Sequence, residues 1–230
     1  MCRELTPGPR PGRPNVAGMA PPSEPRTLEL HALRLKGFAA TDVVAGHAAL
    51  SDEEATRLLD EAAAQGLVVH RDGRITGWSL TPAGRALHTD LLAAELAATG
   101  TRSKLHDAYR GFLSVNAELL AVCTDWQMCA SGESPVVNDH SDAVYDKGVV
   151  ARLRDVHDRI EPVCADLAHA LARYGSYGPR LEAALARVEA GDTEWFTRPV
   201  IDSYHTIWFE LHEDLLCTLG IERSKEEAPA

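Results

Sequence analysis

Apolar residues recur at helical spacing through most of the second half of the chain. The polar residues that interrupt this recurrence constrain the fold more than any other feature. At about 100° per residue, Ile201, Tyr204, His205, Trp208, Leu211, His212, Leu215 and Leu219 share one helical face. His205 and His212 are therefore expected to point inward. Val149, Leu153, Val156, Ile160, Cys164 and Leu167 make a similar stripe with His157 near its centre, and Asn116 lies among Leu105, Tyr109, Phe112, Leu119, Cys123 and Trp126. Burying an unpartnered polar group costs roughly 1–3 kcal/mol. Several of them converging on one small helical core predict a polar pocket or a metal site.

The chain has 230 residues, 45% of them hydrophobic, enough for one compact domain or two small ones. Its formal net charge of −11 works against non-specific attraction to nucleic acid or anionic lipid. The five cysteines are odd in number and form no Cys-x-x-Cys pair, which reads as reduced thiols in a cytoplasmic protein. Residues 1–26 hold seven of the 13 prolines and are expected to be a disordered tail without a signal peptide, with Met19 offering an alternative start. No uncharged run reaches the ~18 residues of a membrane span.

From residue 27 to 98 the pattern is three helices, a hairpin and a fourth helix. The first helix spans 28–36 and ends at Gly37; the second covers 41–49. Ser51 with Glu54 forms a capping box that opens the third, which runs to Gln65 and stops at Gly66. Strands 67–70 and 75–80 flank Arg71-Asp72-Gly73-Arg74, read as a tight Asp-Gly hairpin. Thr81-Pro82 then starts the fourth helix. This segment resembles the winged helix-turn-helix of MarR- and PadR-type transcription regulators, in which a Leu-Thr-Pro-x-Gly-Arg stretch follows the wing as Leu80-Thr81-Pro82-Ala83-Gly84-Arg85 does here. The resemblance implies a DNA-binding, dimeric regulator. Charge opposes DNA: residues 27–98 carry six Lys and Arg against ten Asp and Glu, and the third helix begins Ser51-Asp52-Glu53-Glu54. Arg57 on that helix and Arg71 and Arg74 on the wing are the expected DNA contacts.

Beyond residue 101 the pattern is helical, over about 103–128, 143–173 with a kink at Pro162, 179–190 and 199–219. The expected fold is therefore mainly α, an N-terminal winged helix-turn-helix (27–98) joined to a C-terminal helical bundle (102–222), with a disordered tail at 223–230. Cys123-Thr124-Asp125-Trp126-Gln127, Asn138-Asp139-His140-Ser141-Asp142 and Asp202-Ser203-Tyr204-His205 are similar to segments of actinobacterial regulators, and more distantly to tails of phosphoenolpyruvate-utilising enzymes. The second likeness implies that the module need not act on DNA.

An organic ligand suits the polar stripes best. Trp126, Tyr204 and Trp208 supply aromatic walls, and Asn116, His157, His205 and His212 supply orienting groups. A catalytic version uses His157 or His205 as general base, oriented by Asp139 or Asp202. No cofactor is predicted. A metal ion is the weaker reading, with His157, His205 and His140 as its ligands, because His205 and His212 stand about 10.5 Å apart along their helix. The competing structural reading is that each histidine hydrogen-bonds a neighbouring carbonyl or a carboxylate such as Asp202 or Asp146. Glu210 and Asp214 fall on the opposite face of the last helix and are expected to be solvated. Trp195 and Phe196 are expected to staple that helix to the body. The leading function is a ligand-responsive transcriptional regulator; the rival is a small-molecule enzyme or binding protein that keeps the winged helix as a scaffold.

Overall fold

The computed structural model describes residues 20–131 and 134–226; the expectation for residues 1–19, 132–133 and 227–230 lies outside them. The chain is mainly helical. Helix α1 (Pro25–Lys36) starts with proline in its first turn and ends at Gly37, whose φ of +72° a side chain would disfavour. Helix α2 covers Thr41–Ala48, and α3 covers Asp52–Ala64 with the Ser51 hydroxyl accepting from the Glu54 amide at 3.2 Å. Strands β1 (Val68–Arg71) and β2 (Gly77–Leu80) pair antiparallel, Val68 opposite Leu80 and Arg71 opposite Gly77. Ala39 joins the far side of β2 through two bonds with Trp78, of 3.1 and 2.8 Å.

The hairpin is wider than the tight Asp-Gly turn expected, because pairing stops at Gly77 and leaves 72–76 as the connection. Gly77 is held there by contact: a Cβ on it would lie 2.7 Å from the Ala39 carbonyl and 2.8 Å from the Phe38 ring. Helix α4 (Pro82–Thr99) follows, capped by the Thr81 hydroxyl. The same hydroxyl lies 2.7 Å from the Gly66 carbonyl, and a Cβ on Gly84 would sit 2.0 Å from that of Leu67. The Thr-Pro-x-Gly stretch is therefore a docking device that seats α4 directly against the backbone entering β1.

Helix α5 (Arg102–Gln127) and α6 (Ala143–Ala170) run antiparallel, tied by Arg159 to Glu118 and by Arg152 to Asp125. A short hairpin not anticipated from the sequence, β3 (Met128–Ser131) with β4 (Ser134–Val137), turns the chain between them. Helix α6 continues through Pro162 and gives way at Leu171 to a 3-10 turn, Ala172–Ser176. Helices α7 (Tyr177–Glu189), α8 (Glu194–Thr197) and α9 (Tyr204–Leu219) complete the body. Phe196 staples this end as expected, stacked on Trp126 with 4.4 Å between ring centres.

One core lies among α1, α2, α3 and the hairpin, and a larger one among α5, α6, α7 and α9. Helix α4 spans both: Leu87 and Leu91 pack on the first, while Leu96 belongs to the second. Helix α9 touches α1 and α4 on one side and α5, α7 and α8 on the other. It is thus packed on both sides over most of its surface, Phe209 staying exposed, which no reading of its own amphipathicity anticipates. Residues 20–26, assigned to the tail from their prolines, include the start of α1 and a bond from the Ala172 amide to the Pro21 carbonyl. At the other end Glu226 accepts from Tyr109 at 2.6 Å. No helix among the described residues is long and apolar enough to cross a membrane.

Candidate functional site

The structure joins several of the residues read from the stripes through ring contacts, Tyr204 stacking on Trp208 with 6.3 Å between ring centres and Phe112 meeting both Trp208 and His212. It gives Asn116, His157 and His212 a polar partner each. The Trp208 indole donates to Asn116 Oδ1 at 2.9 Å. His157 lies with Nδ1 3.3 Å from the Tyr204 hydroxyl and Nε2 2.8 Å from Glu182. His212 packs against the Phe112 ring and meets Glu226 at 2.5 Å. His205 is only partly buried, a correction to its inward placement, and burial lowers its pKa. Trp126 is occupied by Phe196 and by the His140 ring. His140, at φ +59°, is bound to Asp146 at 3.0 Å, while Asp139 accepts from the Ser141 amide. Asp202 pairs with Arg180 at 3.1 Å. Among the described residues no group of three or more His, Cys, Asp or Glu side chains could hold a metal ion.

The polar concentration that the sequence did not disclose lies where α1 and α4 meet α9. Glu210 and Asp214 are buried, at 6% and 2% exposure, rather than solvated. The face of α9 opposite the apolar stripe is the one that receives the N-terminal unit, so its carboxylates end up in an interface. Arg173, from the 3-10 turn, donates to Asp214 at 2.5 Å, to Thr218 at 2.6 Å and to Glu95 at 3.3 Å. Tyr177 donates to the second oxygen of Asp214 at 3.0 Å. His31 Nε2 lies 3.1 Å from both Asp214 and Arg173, and its Nδ1 lies 3.0 Å from His88 Nε2.

Burial alone would raise the Asp214 carboxyl, but Arg173 and His31 outweigh it and hold the pKa well below the usual range. Burial lowers both histidines, His88 to about 3 with the help of His31 beside it. A neutral His31 gives one of its ring bonds and takes the other. A buried ion pair of this kind is weak evidence for net stability, since desolvation offsets much of the attraction. Its geometric effect is firmer: four elements must be in register for Arg173 to be satisfied.

Beside this network is a cleft of about 630 Å³ between α1 and α2 on one wall and the 3-10 turn and α7 on the other. That volume lies within the range of small-molecule sites. Leu28, Val43, Ala48, Ala49 and Ala172 give it an apolar lining, and Lys36, His47 and Arg180 stand at one end. All three meet Glu210: Lys36 Nζ at 2.6 Å, His47 Nε2 at 2.9 Å and Arg180 Nη1 at 2.6 Å. Burial opposes the Glu210 charge, but the bonds from His47 and Arg180 prevail and keep it ionised. Lys36 and His47 come from the N-terminal unit and Arg180 from the body, so Glu210 is a strut between them.

The sequence carries only one trace of this site. Glu210, Asp214 and Thr218 recur every four residues, a polar line along a helix whose other face is already apolar. On the outer surface, Arg57 is paired with Glu61 at 2.7 Å, and Glu61 also with Arg26 at 3.3 Å. Arg71 and Arg74 are exposed at the hairpin. Compared with known proteins, the chain matches no family model, no curated protein and no solved structure.

Proposed function

We propose that the protein is a ligand-responsive transcriptional regulator of the winged-helix class. The order of three helices, a hairpin with Ala39 bridging its edge, and a fourth helix supports reading α2 and α3 as the helix-turn-helix and β1–β2 as the wing. One observation carries the ligand response: the cleft is walled by α1 and α2 on one side and by the helical body on the other. A molecule bound there touches both the DNA-reading unit and the remainder of the chain. The effector site is accordingly this cleft, not the polar-aromatic pocket expected within the bundle. Arg71 and Arg74 on the wing grip the DNA backbone, and two copies read two half-sites as a dimer. Arg57 contributes less, since Glu61 already neutralises it.

The experiment is a binding titration on the DNA upstream of the protein's own coding sequence. At low salt the fragment is bound, and replacing Arg71 and Arg74 by alanine weakens binding and flattens its salt dependence. A wild-type protein that binds no such fragment at low salt refutes the regulator reading. The acidic start of α3 (Asp52, Glu53, Glu54) favours a second reading, in which the N-terminal unit is a scaffold or docking surface for a small-molecule enzyme or binding protein. Under that reading the fragment is not bound while the cleft still takes its ligand.

A further inference from the structure

The cleft joins an apolar body to a cationic end, and this division specifies a chemical class of ligand. The lining from Leu28 to Ala172 is mainly apolar, with Ser23, Arg173 and Ser176 its polar members, and so disfavours a fully hydrated ion. The end formed by Lys36, His47 and Arg180 is the opposite. Three nitrogen donors from three elements converge on one carboxylate, that of Glu210. Arg180 also spends its Nε and Nη2 on Asp202, which is half exposed on the rim. Lys36 keeps two of its three ammonium protons beyond the bond to Glu210, and its side chain is 24% exposed. Glu210 therefore occupies the position that the anionic group of a ligand would take, supplied from within the chain.

We propose that the cleft binds a small organic acid, a carboxylate or phosphate on an apolar body, whose anionic group is taken by Lys36, His47 and Arg180 in exchange with Glu210. This rests on the reading of the cleft as the effector site. The exchange also supplies a regulatory consequence. With Glu210 in place, Lys36 and His47 are tied to α9; with a ligand in its place they are tied to a molecule lying between α2 and α7. The angle between the N-terminal unit and the body then follows the ligand's shape.

The test is calorimetric titration of the full chain with hexanoate, phenyl phosphate and, as the uncharged control, benzyl alcohol. At least one acid binds and the alcohol does not; which acid binds separates carboxylate from phosphate recognition. Lys36→Gln and Arg180→Gln each weaken that acid roughly tenfold or more, the expected effect of deleting a charge-assisted bond. Glu210→Gln tightens it, because the internal competitor is gone, whereas a merely structural Glu210 would weaken binding along with the other variants. Amide shifts of Gly46 and Ala172 on adding acid to wild-type protein report the location without any substitution. Three results overturn the proposal: no acid binding at millimolar concentration, equal binding of the alcohol, or weakened binding in Glu210→Gln. Because no DNA is present, loss of acid binding with retained DNA binding removes this site alone. The converse pattern removes the regulator reading and leaves the site standing.

Discussion

Glu29 has no exposed side-chain surface, and its Oε1 has no hydrogen-bond partner among the described residues; only its Oε2 meets Arg26, at 3.0 Å. Burial dominates and raises its pKa from 4.5 to about 7, despite the attraction of Arg26. A raised folded-state pKa means that below 4.5 both states hold the proton and nothing is lost. As pH rises from 4.5 to 7 the unfolded chain ionises first, and stability falls by about 3 kcal/mol in all. Glu29→Gln should therefore melt several degrees above wild type at pH 8 and close to it at pH 4.5, measured by circular dichroism. A variant that melts lower at pH 8 would show that the Arg26 pair outweighs desolvation. His88 acts in the other direction: with its pKa lowered from 6.5 to about 3, it adds no cost above pH 6.5 and an increasing one as the pH falls below it. These residues were hard to read because Glu29 and His31 on α1 and His88 on α4 interrupt apolar stripes that leave no surplus to mark them as inward. His157, His212 and Asn116, on long stripes, were legible as buried, but each proved to have a protein partner of its own.

At the scale of elements, periodicity located most of the helices and capping fixed several boundaries, as at Ser51 and Thr81. The β3–β4 hairpin escaped because Met128–Ser131 and Ser134–Val137 are short, and the apparent helix before them has no stop residue. One side of α9 departs from its sequence pattern for a different reason. Its outward charges follow the pattern of a solvated face, and only the presence of α1 and α4 over them turns that face into an interface. The seat of α4 on β1 gives a direct test of the docking device. Gly84→Ala places a methyl 2.0 Å from the Leu67 carbonyl, against backbone that cannot rotate aside. Overpacking of this kind costs about 1–3 kcal/mol, so the melting temperature should fall by several degrees; Ala83→Gly, a control in the same turn, should lose less. Equal losses in the two variants would mean that helix propensity, and not the contact, governs this turn.

At the scale of the whole molecule, two cores share α4, and their junction holds the buried Arg173–Asp214 pair and the Glu210 strut. The winged-helix reading of the first core came from element order and the Thr-Pro-x-Gly stretch. The place where a ligand would act did not come from the sequence, because its walls are contributed by residues more than a hundred positions apart. Coupling between cleft and wing requires that the ligand's affinity differ between the DNA-bound and free forms. The measurement that tests this account most directly is the dissociation constant for the upstream DNA fragment, read by fluorescence anisotropy with and without a saturating concentration of the acid that binds the cleft. The account predicts a severalfold change in wild-type protein that disappears in Lys36→Gln. The same DNA affinity at zero and saturating acid would contradict it.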